Sequence, residues 1–124
     1  MAKSIHPDVL DAALEHMRTS CTSMVACLSE PANYLEASGA LALASTAMVS
    51  ADFGLAAGDI SGRKCVVGPK GAATVSTSGV ATHVALLDET SERLLYVTTC
   101  PDFPLTQGSQ VSFSAWDIEF ADPS

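Results

Sequence analysis

The sequence predicts an α+β fold in which an N-terminal helix packs on an antiparallel β-sandwich of about six to eight strands. Three observations predict it: apolar residues at helical spacing over residues 7–21, alternating apolar runs after residue 63, and charged or Gly/Pro-rich segments between those runs. With 124 residues the chain reads as one domain over 1–124, the helix within 1–22 and mainly β structure in 23–124.

The helix comes first. Pro7 suits an opening helical position, and Asp8 and Asp11 suit the positive end of the helix dipole. Leu10, Leu14, Met17 and Cys21 recur along one face, with Val9 and Ala13 widening the stripe and Arg18 in the last turn. Residues 23–29 form a short apolar strand closed by Glu30-Pro31. Residues 34–49 suit either a helix interrupted at Gly39 or a loop followed by a strand; their alanine content tilts the reading to a short helix. Residues 51–62, with three glycines, read as a long exposed loop or a distorted edge.

From Arg63 onward the pattern is β. Residues 64–67 are a strand ending in a turn at 68–71, and residues 72–77 a weaker strand ending at Ser78-Gly79. The runs 80–87, 94–99 and 111–120 predict a β-meander, with 88–93 as a polar hairpin tip. In the first run Val80, Thr82, Val84 and Leu86 share one face and Ala81, His83, Ala85 and Leu87 the other. Both faces are mostly apolar, so this strand is predicted to be central and covered on both sides. In the last run Val111 and Phe113 are out of phase with Trp116, Ile118 and Phe120. That predicts a bulge near Ala115, or a strand bending from one sheet to another.

Composition restricts the partners. Apolar residues make up 48% and charged residues 16% of the chain, and mean hydropathy is +0.28, against a usual charged share of about 25%. Much of the surface is then Ala, Ser, Thr and Gly, weakly defended against association, and we expect part of it to be covered by other chains. A net charge of −8, with only six Lys and Arg, argues against a nucleic-acid partner. The apolar stretch 41–49 falls short of the roughly 20 residues of a membrane span. The start lacks a signal-peptide core, so we expect synthesis and folding in a cytoplasm and no membrane partner. Cys21, Cys27, Cys65 and Cys100 match no zinc spacing; they allow two disulfides or none, and a reducing compartment makes them four small buried hydrophobes.

Candidate chemistry is sparse. His83, Asp88 and Cys100 invite a Cys-His-Asp nucleophile, but His83 lies mid-strand and no sequence signature surrounds the cysteine. Asp52 and Asp59 flank a glycine-rich segment without the alternating carboxylates of a calcium loop. Gly68 to Gly71 is a turn rather than a phosphate cradle, because no helix is expected after it. Tyr96 and Trp116 have in-phase apolar neighbours, as core aromatics do. We therefore expect no enzyme, no catalytic residue, no cofactor and no metal.

The segments IHPDVLDAAL, SADFG, AAGDISGRK, GVATHVALLD, LLYVTTC, PLTQGSQVSFSAW and DIEFADP, spread over nearly the whole length, together resemble a group of small proteins of tailed bacteriophages. The resemblance implies a virion structural component: a capsid decoration (cement) protein or the base of a head spike, made in the host cytoplasm. Its implied partner is the major capsid protein; the low charge of the chain separately predicts a symmetric homo-oligomer, a trimer favoured and a pentamer or hexamer open. A tail-tip or fibre-associated adhesion module, using Tyr96, Trp116 and the segment 50–62, is the alternative, and a small intracellular enzyme a remote one.

Overall fold

A computed structural model describes residues 5–59 and 61–120. The first residues of the 1–22 segment and the final residues of the chain lie outside that range. The fold is α+β, with one N-terminal helix and antiparallel sheets. The expectation of one domain meets a chain whose described residues divide into two compact units, interleaved along the sequence. One comprises the N-terminal stretch to Ser20, then 49–69 and 114 onward; the other comprises 21–48 and 70–113.

The first unit holds helix α1 (Pro7–Ser20) and strands β3 (Phe53–Ala57), β4 (Arg63–Val67) and β9 (Trp116–Phe120). These strands form an antiparallel sheet in the order β3-β4-β9, and α1 packs on β3 and β4. Leu10, Leu14 and Met17 are buried as their spacing requires. Val9 and Ala13, read as widening that stripe, are exposed instead, because the buried stripe is narrower than the apolar one. Arg63 Nε donates to Asp11 Oδ1 at 2.8 Å, tying helix to sheet. The segment read as a loop or distorted edge is a turn of 3₁₀ helix at Ser50–Asp52 followed by β3, an edge strand. Past β3 the chain turns sharply at Gly58, where any Cβ would overlap the Ser61 carbonyl.

The second unit holds β1 (Ser23–Cys27), β2 (Ala42–Ala47), β5 (Lys70–Thr74), β6 (Gly79–Asp88), β7 (Arg93–Leu105) and β8 (Gln110–Phe113). Its main sheet runs β2-β1-β6-β7, and β5 pairs with β8 as a separate ribbon. One face of the main sheet supplies Ala26, Leu43, Ala44 and Ala81, which cluster with Val75 and Leu105, and Val111 and Phe113 of the ribbon pack against them. That arrangement is sandwich-like. The other face supplies Val25, Cys27, Ala85 and Leu87, covered by Ala37, Tyr34 and Leu41. The central, doubly covered position predicted for the strand from Val80 is therefore observed. Its faces differ in one detail: Ala81 joins the opposite cluster from Ala85 and Leu87, because the β6–β7 register shifts between Ala81 and His83.

Residues 34–49 contain both alternatives in sequence. A single helical turn at Glu36–Ala40, closed by a bond from Leu41 N to Glu36 O (2.9 Å), is followed by β2. Asn33 Oδ1 accepts from Glu36 N, and Glu36 Oε1 accepts from Ala32 N, so the turn satisfies its own first donors.

The predicted meander is corrected in two places. β6 and β7 form the hairpin, with Asp88 Oδ1 accepting from Thr90 N (3.0 Å) and Ser91 N (3.2 Å) at its tip. β7 runs on to Leu105, well past Thr99 and through both Pro101 and Pro104. The final run then divides rather than pairing with β7: β8 pairs β5, and β9 pairs β4. The break falls at Ser114-Ala115, where the apolar phase changes, so the chain passes from one sheet to another. The turn expected over 68–71 is also shorter, since β5 begins at Lys70.

Candidate interaction surface

Of the residues weighed for nucleophilic chemistry, Cys100 follows Thr99, which stands opposite His83, while Asp88 lies apart from both. Asp88 lies five residues along β6 from His83, roughly 16 Å at about 3.3 Å per residue, and its carboxylate serves the hairpin tip. His83 Nδ1 sits 2.9 Å from Thr82 Oγ1, and that hydroxyl donates its proton to the Leu28 carbonyl at 3.0 Å. A hydroxyl has one proton to give, so Nδ1 is the donor of the remaining bond. Burial, and then the carboxylate of Asp102, push the Cys100 thiol above its ordinary pKa. An activated nucleophile needs the opposite shift.

Cys27, fully buried, is pushed up to about 11 by burial and then by nearby Cys100. Cys65 is also raised, by burial first. Cys21, Cys27 and Cys65 are buried as the sequence suggests, while Cys100 is half-buried.

The carboxylates flanking β3 are engaged locally. Asp52 Oδ2 accepts from Val49 N at 2.9 Å. Asp59 accepts from Lys64 Nζ at 2.7 Å, and Asp117 accepts from the same ammonium at 3.4 Å. The bond to Asp59 holds that ammonium above its ordinary pKa, opposed by partial desolvation and reinforced by Asp117. Among the described residues no group of three or more His, Cys, Asp or Glu is placed to hold a metal ion. Gly68 N donates to Asp52 O at 2.7 Å, and β5 rather than a helix follows. Tyr96 on β7 stands opposite Leu86, and Trp116 on β9 opposite Val67; they belong to different units and both are half-buried.

The second unit also exposes apolar side chains. Leu28 (45% exposed), Val80 (41%) and Phe103 (56%) gather at one end of the main sheet. A Cβ on Gly79 would lie 3.3 Å from Leu28 Cδ1, Val80 pairs with Pro104, and Phe103 pairs with Ala81. Val80 and Phe103 flank opposite faces, so apolar side chains are exposed on both sides of this end, beside exposed Asp102. On β1 and β2 a shallow open depression of about 230 Å³ is lined by hydroxyls, among them Ser23, Ser45 and Thr46, with Glu89 as its charged member. Sequence reasoning missed the apolar end. Its residues sit at strand termini beside Pro101 and Pro104, where period-2 patterning no longer says which way a side chain faces.

Exposed apolar side chains are thus grouped at one end of the second unit's main sheet. No protein-family model, curated protein or solved structure matches the chain.

Proposed function

We propose that this protein is an accessory structural component of a bacteriophage virion, bound to the outer capsid surface as a decoration protein or head-spike base. In this reading it is not an enzyme and carries no cofactor or metal. Its partners are the major capsid protein and further copies of itself. The observation that carries the proposal is the exposed apolar end of the second unit, Leu28, Val80 and Phe103, on a chain with few charges. A shell-binding protein needs such a surface: it must be soluble when free and bury apolar area when docked, with many weak copies held by the repetition of the shell. The resemblance of its segments to small tailed-phage proteins supplies the identity of the shell.

The test is the ratio of this chain to the major capsid protein in purified particles. A ratio near one, or a fixed fraction of it set by local symmetry axes, supports the proposal. A ratio of about one-hundredth moves the chain to the tail or a single vertex, because those positions are few. Absence from the particle ends the structural reading.

A further inference from the structure

β1 reads Ser-Met-Val-Ala-Cys and is buried along its whole length, so its serine is the exception in an apolar strand. Only 6% of Ser23 is exposed, and its hydroxyl has no hydrogen-bond partner among the described residues. A hydroxyl taken out of water without a bond in exchange costs stability, and such a group calls for an explanation.

Ser23 lines the depression over β1 and β2, together with Val25, Ser45, Leu87 and Glu89. The register puts Ser23 between Ala47 and Leu87, and Val25 opposite Ser45. Ser23 and Ser45 are therefore diagonal neighbours on one face of the sheet, about 7–8 Å apart. With only the methyl group of Ala47 beside it, the Ser23 hydroxyl is left open toward the depression. Exposed Glu89 is held beside β1, its backbone N donating to Thr22 Oγ1 at 2.9 Å.

These groups select a class of ligand. No Lys, Arg or His is among the described residues that line the depression, and its charged member is a carboxylate, so an anion is excluded. An ammonium group only donates, and would leave the protons of the Ser23 and Ser45 hydroxyls without acceptors. A ligand hydroxyl both donates and accepts, and so satisfies serine hydroxyls and carboxylate alike. Val25 and Leu87 give the C–H face of a ring an apolar surface to rest on. At about 230 Å³ the depression lies below the range of about 300–1,000 Å³ usual for small-ligand pockets, which limits the occupant to a single ring.

We propose that this depression binds one uncharged polyhydroxy ring of monosaccharide size, with the Ser23 hydroxyl as its buried anchor. The site lies within the second unit, and Leu28, Val80 and Phe103 do not line it. It goes beyond the shell-binding reading and does not depend on it.

Amide chemical shifts of the full chain test it, followed while glucose, galactose and mannose are each added to about 50 mM. At least one sugar is expected to move the amides of 23–25, 45–47 and 87–89 with a millimolar dissociation constant. Ser23→Ala should raise that constant about tenfold, the loss of one hydrogen bond. It should leave the melting temperature unchanged or higher, because it removes a hydroxyl that the fold does not satisfy. Ser45→Phe, at an exposed position, fills the depression from above and should abolish the shifts; it decides the matter should Ser23→Ala fail to fold. Propylammonium at the same concentration should leave these amides unmoved. The proposal is overturned if no sugar moves them, if propylammonium moves them equally, or if Ser23→Ala binds as wild type does. A lower melting temperature for folded Ser23→Ala overturns it too, since the hydroxyl would then be bonded within the fold. Sugar binding by a chain missing from particles would sink the virion reading alone, and a particle-bound chain without sugar binding would sink this one alone.

Discussion

Both units have apolar cores, with Leu10, Leu14, Phe53, Val67 and Ile118 buried in the first, and the first adds ion pairs to its core. The first contains the ion pairs Arg63–Asp11, Arg18–Glu15, Lys64–Asp59 and Lys64–Asp117, which stitch helix and strands at positions part-open to solvent. The second is held by apolar clusters on both faces of a four-stranded sheet, with small residues such as Ala26, Ala44 and Ala85 letting its layers approach closely. The difference teaches where this chain keeps its capacity for association. Charged pairs make a surface costly to desolvate, and in the first unit they stand beside exposed Val9 and Val49. The second leaves Leu28, Val80 and Phe103 in solvent, and covering such side chains with another chain gains apolar burial.

The largest effects should come from the two cores. Leu87→Ala in the second unit and Ile118→Ala in the first each remove a fully buried side chain, and each is expected to cost about 2–5 kcal/mol in urea unfolding. Amide protection should fall first in the unit that carries the substitution. Protection lost equally across both units would break the division between them.

A smaller effect separates the units at alkaline pH. The folded-state pKa of Cys27 is raised to about 11 from an ordinary value of 9.0. The folded state therefore keeps its proton where the unfolded state loses it, so the stability contribution is complete below the ordinary value and is lost as pH rises toward about 11. Two pKa units correspond to about 2–3 kcal/mol. Cys27→Ala should flatten that decline in thermal unfolding followed from pH 8 to 11. Cys65→Ala should flatten it less, because the Arg18 guanidinium opposes the burial that raises Cys65. Equal slopes for the two variants would count against the contrast.

The smallest effect belongs to the first unit's electrostatics. Arg63→Ala removes the bond to Asp11 between two partly exposed side chains, and the expected cost is about 0.5–1 kcal/mol. The difference from wild type should shrink in 1 M salt, where the screening length is about 3 Å. Thr82→Ala, which has no charge to lose in the second unit, should cost the same in either salt. A salt-dependent loss there would erase the distinction between the units.

Much of the local structure was legible. Leu10, Leu14 and Met17 are buried because their spacing leaves a helix one apolar face, and Pro7 starts that helix because its missing N–H has no partner to lose there. The phase change between Phe113 and Trp116 marks a real break, since a period-2 strand cannot put both sets on one face. The candidate surface was much less legible. Leu28 and Phe103 are apolar residues at strand ends, and pattern alone cannot separate them from core residues such as Leu105.

The sequence by itself determined the helix, the strand-forming segments after Arg63 and the place where the last run must divide, because each depends on the periodicity of neighbouring residues. The tertiary structure alone decided which strand lies beside which. Nothing in β8 or β9 names β5 or β4 as its partner, and nothing in Leu-Leu-Tyr-Val-Thr-Thr-Cys says that it ends a sheet. The physical reason is that backbone hydrogen bonds are the same for every residue except proline, so a strand's pattern specifies a face to bury and leaves its neighbour to be chosen by packing across the whole chain.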